Sequence, residues 1–315
     1  MRGDGDGWVV CGDGQRRWGR HGAAGLLVRA PATGPSSDAG SDPGDPLVLL
    51  QLRVGWSHHG GTWGIPGGAR DSGETAVQAA LREAAEETGI DPDAVAVRGQ
   101  WVDDLGGDPT DWTYTTVVGD VAEPLATVAD HESDALGWVP QSQITALELH
   151  PGLRAGWPRV LARPVSLVLD VANIVGSVPD GWWRDRAGAT KRLLTAVART
   201  VPRTVAPAGV REWFAWVAET VAVVEGAARA VPEVAGVELV RADGSGDDAV
   251  VSVVDRLAAA EAGAERAGEG GAGSGAGGPT RALVVTADRG LIARLPPGTG
   301  VLGPATVRGW LTESH

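Results

Sequence analysis

Residues 67–90 read GGARDSGETAVQAALREAAEETGI, a glycine-rich loop that leads into a strongly acidic segment. Apolar and small residues recur at helical spacing in its second half, so this part is predicted to form a helix with one face on a sheet. We expect Asp71 or Ser72 to cap the helix, with Glu74 in its first turn, where a carboxylate suits the helix dipole. Gly89 is expected to end the helix in the left-handed conformation.

Three glutamates share one face of this predicted helix. Glu83, Glu86 and Glu87 stand at i, i+3 and i+4, which brings their carboxylates to one patch. Arg82 precedes Glu86 by four residues and can neutralise and orient it. Clustered carboxylates repel unless a positive group lies among them, and a hard divalent cation such as Mg²⁺ or Mn²⁺ is the usual solution. For the glutamates taken alone, a solvated acidic helix face is the alternative interpretation.

The spacing of the whole stretch resembles the signature of the Nudix hydrolases. The matching positions are Gly68, Glu74, Arg82, Glu83, Glu86, Glu87 and Gly89, and residues 63–67 are also typical of that family. The resemblance implies an α/β/α sandwich with a mixed sheet over residues 1–161. It also implies hydrolysis of the diphosphate linkage of a nucleoside diphosphate derivative, with Mg²⁺ or Mn²⁺ as cofactor.

The same resemblance implies roles for individual residues. The implied metal ligands come from the loop and the helix: the main-chain carbonyl of Gly67 and the side chains of Glu83, Glu86 and Glu87. Glu86 would be a direct or water-mediated ligand, while Arg82 and Glu74 would hold the glutamates in place. Glu132 occupies a loop position where the family can supply a further ligand or a base, and a structural role is the alternative. The loop before the motif contains His58 and His59. We interpret them as polar residues of that loop, with metal binding as the alternative.

Composition separates the chain into two halves. Of 315 residues 43% are hydrophobic, no apolar run approaches the roughly 20 residues of a membrane span, and Cys11 is the only cysteine. The first residues lack an apolar core, so we expect no signal peptide, no membrane partner and a cytoplasmic enzyme. Residues 1–160 carry 11 basic and 23 acidic side chains, whereas residues 161–315 carry 16 and 17. The second half therefore repels polyanions far less than the first.

A second α/β domain with a mainly parallel sheet is predicted over residues 164–315. Two apolar runs within it, residues 164–170 and 282–289, have the composition of buried strands that each end near an acid. Between them, residues 263–278 consist of Gly, Ala, Ser, Glu and Arg, and a disordered insertion is predicted near 263–280.

The acids of this second domain are expected to gather at one sheet edge. Asp170 and Asp288 follow the two predicted strands, and a Gly-Ser-Gly loop presents Asp247 and Asp248 at the start of a predicted helix. Because the carboxyl ends of parallel strands meet at the same edge, these carboxylates suit one or two Mg²⁺ ions for phosphodiester hydrolysis. Capping of the segments that follow the strands is the alternative role for Asp170 and Asp288.

Three short motifs of this half, Leu-Asp-Val-Ala-Asn, Gly-Asp-Asp and Val-Thr-Ala-Asp-Arg, resemble the NYN/PIN-like ribonucleases. The resemblance implies a PIN-like sheet, a metal held by the acids and RNA as a partner. A basic segment over residues 182–203 is compatible with RNA, because Trp182 and Trp183 could stack on bases. An amphipathic helix with a solvated basic face and buried tryptophans explains the same segment equally well.

Together these patterns favour a Nudix pyrophosphohydrolase fused to a metal-dependent ribonuclease-like domain. Two other hypotheses stay open. In one, the main activity is that of the PIN-like ribonuclease and the Nudix half senses nucleotides. In the other, the second half is a catalytically silent module for RNA binding or dimerisation. The sequence leaves open the nucleotide substrate, the preferred metal and the oligomeric state.

Overall fold

The computed structural model describes residues 3–32, 44–106, 112–206, 213–266 and 282–312, with side chains up to residue 260 in the fourth range. The chain divides into two compact units, Met1–Leu161 and Ala162–Ser314. The predicted insertion near 263–280 is helical as far as Arg266, and its remainder lies outside the described residues.

The first unit contains, within its described residues, a β-sheet and two α-helices, one before its last three strands and one after them. Its elements are β1 (Trp8–Val10), β2 (Arg16–Trp18), β3 (Ala23–Ala30), β4 (Leu47–Arg53), β5 (Trp63–Gly64), β6 (Gly67–Ala69), α1 (Ala76–Thr88), β7 (Ala96–Asp104), β8 (Thr113–Asp120), β9 (Ser133–Pro140) and α2 (Pro151–Val160).

The main sheet of this unit is mixed. Its strands run in the order β5-β4-β3-β8-β7, with β6 also paired to β3 and β9 also paired to β4. The β3–β8 pair is parallel, and the other pairs are antiparallel. β1 and β2 form a separate antiparallel hairpin. The mixed sheet agrees with the α/β architecture expected from the sequence.

Helix α1 begins later than its sequence suggests. Thr75 is the N-cap: its side chain accepts from the Gln78 N–H, and the Gln78 side chain accepts from the Thr75 N–H. This reciprocal capping box satisfies two backbone donors and outcompetes Asp71 or Ser72, so the caps expected there are wrong. Glu74 consequently lies just before the helix rather than in its first turn. Gly89 ends the helix with φ 71°, as expected.

The sheet is covered by helices on both faces. Ala24, Leu26 and Val28 of β3 pack with Ala80 and Ala84 of α1, and these small helical residues let the helix lie close to the strand. The intervening side chains of β3 point the other way. Among them, the fully buried Arg29 donates to the carbonyl of Val160 in α2. α2 therefore lies on the face opposite α1.

The second unit is a three-layer arrangement of its own. Its elements are β10 (Ala162–Asp170), α3 (Val171–Gly176), α4 (Arg186–Ala198), β11 (Arg203–Val205), β12 (Phe214–Val224), β13 (Glu238–Arg241), α5 (Gly246–Arg266), β14 (Ala282–Val285), α6 (Arg289–Ile292), β15 (Gly300–Leu302) and α7 (Pro304–Trp310).

Its sheet has the order β11-β12-β10-β14-β15, with β13 also paired to β12. The strands are parallel except for β11 at the edge. α3, α4 and α7 pack on one face and α5 and α6 on the other. Because β10, β12 and β14 are parallel neighbours, their carboxyl ends meet at one edge.

Residues 1–161 are expected to fold without the second unit, because the sheet, α1 and α2 all lie within that span. A matched fragment that ends at residue 150 lacks the buried Trp157 and Val160 and removes the acceptor of Arg29. Each lost side chain is worth about 1.5–3 kcal/mol, a large share of the stability of a single domain. Thermal unfolding followed by circular dichroism should show a cooperative transition for 1–161 and none for 1–150. An insoluble or unfolded 1–161 fragment would contradict the expectation.

Candidate functional site

The loop before α1 brings its backbone against two of the three glutamates. β6 pairs with β3, and from it the Gly67 N–H donates to Glu87 Oε2 at 2.8 Å. At Gly68, a Cβ atom would lie 2.6 Å from the Glu83 carboxylate, so a larger residue would displace that carboxylate. At Gly67, a Cβ atom would lie 2.4 Å from the Gly25 Cα, so the backbone of β3 excludes any side chain there.

Arg82 joins the loop to the helix. Its guanidinium donates to both oxygens of Glu74 at 2.8 and 3.0 Å, to Glu83 Oε1 at 2.8 Å and to the carbonyl of Ala69 at 3.1 Å. The Arg82 Nη1 atom also lies 3.6 Å from Glu86 Oε2. The hydrogen bond from Arg82 keeps the pKa of Glu74 below its usual value. Arg82 thus contacts Glu74, Glu83 and Glu86 together, and its role in orienting metal ligands stays a prediction.

The glutamates differ in their surroundings. Glu87 is only 6% exposed, and burial raises its pKa to about 8 against the opposing hydrogen bond from Gly67. Burial also raises the pKa of Glu83, in spite of its hydrogen bond to Arg82. The Glu86 side chain, in contrast, is 62% exposed. Desolvation thus disfavours the charged form of two of the three carboxylates.

Glu132 lies close to this group on the loop before β9. Its negative field adds to the rise in the pKa of Glu87 that burial causes. Its carbonyl accepts from the Val54 N–H at 3.1 Å, and His131 Nε2 lies 3.8 Å from its carboxylate. The Glu132 side chain is 46% exposed, so its carboxylate is accessible to solvent.

The N-terminal segment contributes to the site in a way that the motif gave no sign of. Asp4 accepts from the Ser72 N–H at 2.8 Å and from its hydroxyl, and Asp71 accepts from the Gly5 N–H at 2.8 Å. Asp6 follows, and its field adds to the effect of burial in raising the pKa of Glu83. These residues lie far from the motif in sequence, so only the folded chain could bring them to it.

A second group of acids lies at the carboxyl edge of the parallel sheet. A cleft of about 280 Å³ is lined by Asp170, Ala172, Asn173, Val223, Glu225, Gly246, Asp247 and Asp288. Three of the acids expected to gather are in this lining. Asp248 is not: it is paired with Arg294 on the surface, because successive helical residues point in different directions. Glu225, just after β12, was missed because no motif marks it, and it accepts from the Gly246 N–H at 2.8 Å.

Two of these acids also cap helices, as the alternative interpretation proposed. Asp170 accepts from the Asn173 N–H at 3.1 Å and Asp288 from the Leu291 N–H at 3.0 Å. The second oxygen of Asp170 accepts from the Thr286 hydroxyl at 2.8 Å. Burial raises the pKa of Asp170, and desolvation together with the field of Asp288 raises that of Asp247. Capping holds Asp170 and Asp288 in place, and Arg294, 4.0 Å from Asp247, opposes the rise in the pKa of Asp247.

Both carboxylate groups fit a hard divalent cation by their chemistry. Their donors are oxygens, and burial raises the pKa of Glu87 and of Asp170, so a cation nearby would stabilise their charged forms. Within the described ranges, no three His, Cys, Asp or Glu side chains are spaced to bind one metal ion as they stand. In the first group, Arg82 holds Glu83 and the Gly67 N–H holds Glu87, so the carboxylates are directed to these donors instead.

The basic segment of the second unit is largely a solvated surface. The exposed side chains on it are Trp183, Arg184, Arg186, Lys191, Arg192 and Arg199. Trp182 packs on the core and lies 5.0 Å below the Arg186 guanidinium, whereas Trp183 is 53% exposed. The amphipathic interpretation therefore holds for Trp182, and Trp183 is the aromatic side chain left open to a ligand. Among the described helices, none is both long and apolar enough to cross a membrane.

Residues 38–159 match the NUDIX domain family. The chain is 50% identical over 171 residues to the Mycobacterium tuberculosis protein named "Putative 8-oxo-dGTP diphosphatase 3", which covers 54% of this chain and 75% of that protein. It is 40% identical over 166 residues to the "Nucleoside triphosphate pyrophosphatase/Nudix hydrolase fusion protein" of Bifidobacterium longum, covering 50% of this chain and 31% of that one. Among solved structures, the Nudix hydrolase RenU of M. smegmatis is 51% identical, with 49% of this chain and 92% of that chain covered and a TM-score of 0.44.

Replacement of Arg82 by Lys is expected to weaken Mn²⁺ binding to the first group by about 10–100-fold, the usual effect of losing a residue that orients ligands. A lysine is a point charge and cannot bridge Glu74, Glu83 and Ala69 at once. Calorimetric titration with Mn²⁺ measures the change. The control is Arg17→Lys, which breaks a surface pair with Asp13 and should leave binding unaltered. Equal Mn²⁺ affinity in Arg82→Lys and the unmodified chain would show that Arg82 does not organise the ligands.

Proposed function

Because this chain belongs to the Nudix hydrolase family and is thus a pyrophosphohydrolase, we propose that its first unit cleaves the diphosphate linkage of a nucleoside diphosphate derivative with Mg²⁺ or Mn²⁺. One observation carries the proposal: the buried Glu87 carboxylate, with a pKa raised to about 8, beside Glu83 and against the Gly67 loop. Burial disfavours the charged form of this carboxylate, and a bound cation would stabilise that form. A purine nucleoside triphosphate is the first substrate to try, since the M. tuberculosis relative is named for 8-oxo-dGTP.

We assign the metal to a shell made of the loop and the helix: the main-chain carbonyl of Gly67 and the side chains of Glu83, Glu86 and Glu87. When bound, a divalent cation supplies charge neutralisation for the diphosphate and makes a bound water more acidic. Arg82 and Glu74 keep the ligands in position through the hydrogen bonds between them. The exposed carboxylates of Glu86 and Glu132 are open to solvent, and we propose that one of them takes the proton of the attacking water.

Replacement of Glu87 by Gln is expected to reduce nucleotide hydrolysis by at least about 100-fold, since loss of a residue that only supports a ligand already costs 10–100-fold. The amide keeps the size of the side chain and removes the charge that a metal needs. Steady-state release of phosphate or pyrophosphate from dGTP measures the effect. The control is Glu148→Gln, which alters an exposed pair with Arg154 and should behave like the unmodified chain. Near-normal activity of Glu87→Gln with unchanged metal dependence would refute the ligand assignment.

We propose a second function for the second unit, metal-dependent cleavage of single-stranded RNA by Asp170, Asp247 and Asp288. The supporting observation is the acidic cleft at the carboxyl edge of the parallel sheet, where Glu225 adds a fourth carboxylate. Clefts of this kind, outside the carboxyl ends of the strands, are where open α/β sheets bind ligands. The exposed Trp183 and the basic side chains near it would hold the strand.

Replacement of Asp288 by Asn is expected to abolish RNA cleavage while nucleotide hydrolysis continues, and Glu87→Gln should do the reverse. The matched control is Asp248→Asn, because Asp248 neighbours Asp247 in sequence but lies outside the cleft. Gel analysis of a mixed single-stranded RNA pool with Mg²⁺ or Mn²⁺ measures cleavage. An uncut pool with the unmodified full chain would favour the hypothesis of a silent module.

A further inference from the structure

Five aromatic rings form a continuous row in the first unit. Trp18 meets Trp8 at a centroid distance of 5.4 Å, and Trp8 meets His58 at 5.5 Å, both edge to face. His58 lies 4.0 Å from His59, which lies 4.9 Å from His150. We call these residues the ring wall. Its members come from the β1–β2 hairpin, the loop after β4 and the start of α2, so the fold alone assembles it.

The ring wall borders the first carboxylate group at its histidine end. The His150 N–H donates to the carbonyl of Trp63 at 2.8 Å, and the Cβ of His150 lies 3.8 Å from the position of a Cβ on Gly64. Gly67, whose N–H holds Glu87, follows Gly64 by three residues and is therefore at most about 10 Å from it. The histidines thus stand beside the loop that approaches the glutamates.

The tryptophan end of the wall reaches the same group by another path. Gly5 is tied to Asp71 of the loop, and the field of Asp6 acts on Glu83, whose pKa burial also raises. Trp8 follows Asp6 by two residues and is at most about 7 Å from it along the chain. Both ends of the wall are therefore connected to chain segments that contact the carboxylate group or its loop.

Arg53 contacts the ring wall at His58 and acts through its charge on the Glu87 carboxylate. It is the last residue of β4, its Nε donates to the carbonyl of His58 at 3.3 Å, and the next residue, Val54, bonds to the Glu132 carbonyl. Its positive field opposes the effect of burial on the pKa of Glu87 and adds to the lowering of the pKa of His58 that burial causes. Within the described parts of the chain, no carboxylate forms an ion pair with Arg53. A cation in this place is available to an anionic ligand.

The rings themselves are open to solvent. Trp8 is 44% and Trp18 42% exposed, His58 and His59 are exposed, and the Arg16 guanidinium stacks 5.1 Å from the Trp8 ring. Exposed rings next to a cation and an anhydride-cleaving site suit a ligand that carries both a flat π system and phosphate. Nucleotides have this combination.

We propose that the ring wall binds the nucleobase of the substrate, with Trp8 and His58 in direct contact with the base and Arg53 next to its phosphates. The inference deepens the proposed nucleotide hydrolysis and rests on it for the identity of the ligand. It assigns base recognition to residues 8–18 and 58–59 and to His150, of which residues 8–18 lie outside the region matched by the family.

The test uses the full chain with Trp8→Ala and His58→Ala, and Trp56→Ala as the matched control. Trp56 is on the same loop as His58 and 72% exposed, yet it contacts no other ring among the described residues. Loss of one stacking contact should raise the KM for dGTP about tenfold and leave kcat within about twofold. Hydrolysis of inorganic tripolyphosphate, which has no base, should not change with either variant. Trp8→Phe keeps a ring and should restore most of the affinity.

Binding of dGMP without added metal provides a readout that does not depend on turnover. Calorimetry should give a dissociation constant about tenfold higher for Trp8→Ala and His58→Ala, and an unchanged one for Trp56→Ala. Equal dGMP binding in all variants would overturn the ring wall as a base site, as would equal loss in Trp56→Ala. If the unmodified chain hydrolyses no nucleotide, the proposed function fails, while the dGMP titration still decides the ring wall. Thermal unfolding of each variant separates loss of binding from loss of fold.

Discussion

The first site depends on the hydrogen bonds of the Arg82 guanidinium, because they join the loop before α1 to α1 itself. Through Glu74 the guanidinium fixes the turn before α1, through Ala69 it fixes β6, and through Glu83 it orients a buried acid. Without a cation here, three carboxylates and a closely packed glycine loop would repel one another. The planar, forked geometry of arginine suits this bridging, which a lysine cannot reproduce.

The two units solve the same electrostatic problem in different ways. In the first, the Gly67 N–H holds Glu87 and Arg82 holds Glu83, and burial still raises the pKa of both carboxylates. In the second, Asp170 and Asp288 are held by the helix ends that they cap. Both oxygens of Asp170 accept hydrogen bonds, one from the Asn173 N–H and one from the Thr286 hydroxyl. Capping is thus observed for these acids, and metal binding by them stays a prediction.

Local patterns predicted the elements better than their ends. The helix over residues 76–88 and its glycine stop followed from periodicity and from the left-handed preference of Gly89. The start was misplaced, since Asp71, Ser72 and Thr75 are all good caps, and the choice depended on a Gln78 side chain that reaches back. For Asp248, adjacency in sequence suggested adjacency in space, which a helix does not provide.

The sequence by itself determined the family, the acidic motif and the order of the α/β elements, because these depend on residue type and spacing along a continuous stretch. Only the tertiary structure decided which distant residues join each site. Glu225 enters the acidic cleft because β12 and β10 are parallel neighbours, and Trp8 meets His58 because the N-terminal hairpin lies against the loop after β4. Such contacts join residues that are tens of positions apart in the chain. Neither periodicity nor motif spacing indicates which distant segments will be neighbours in the fold.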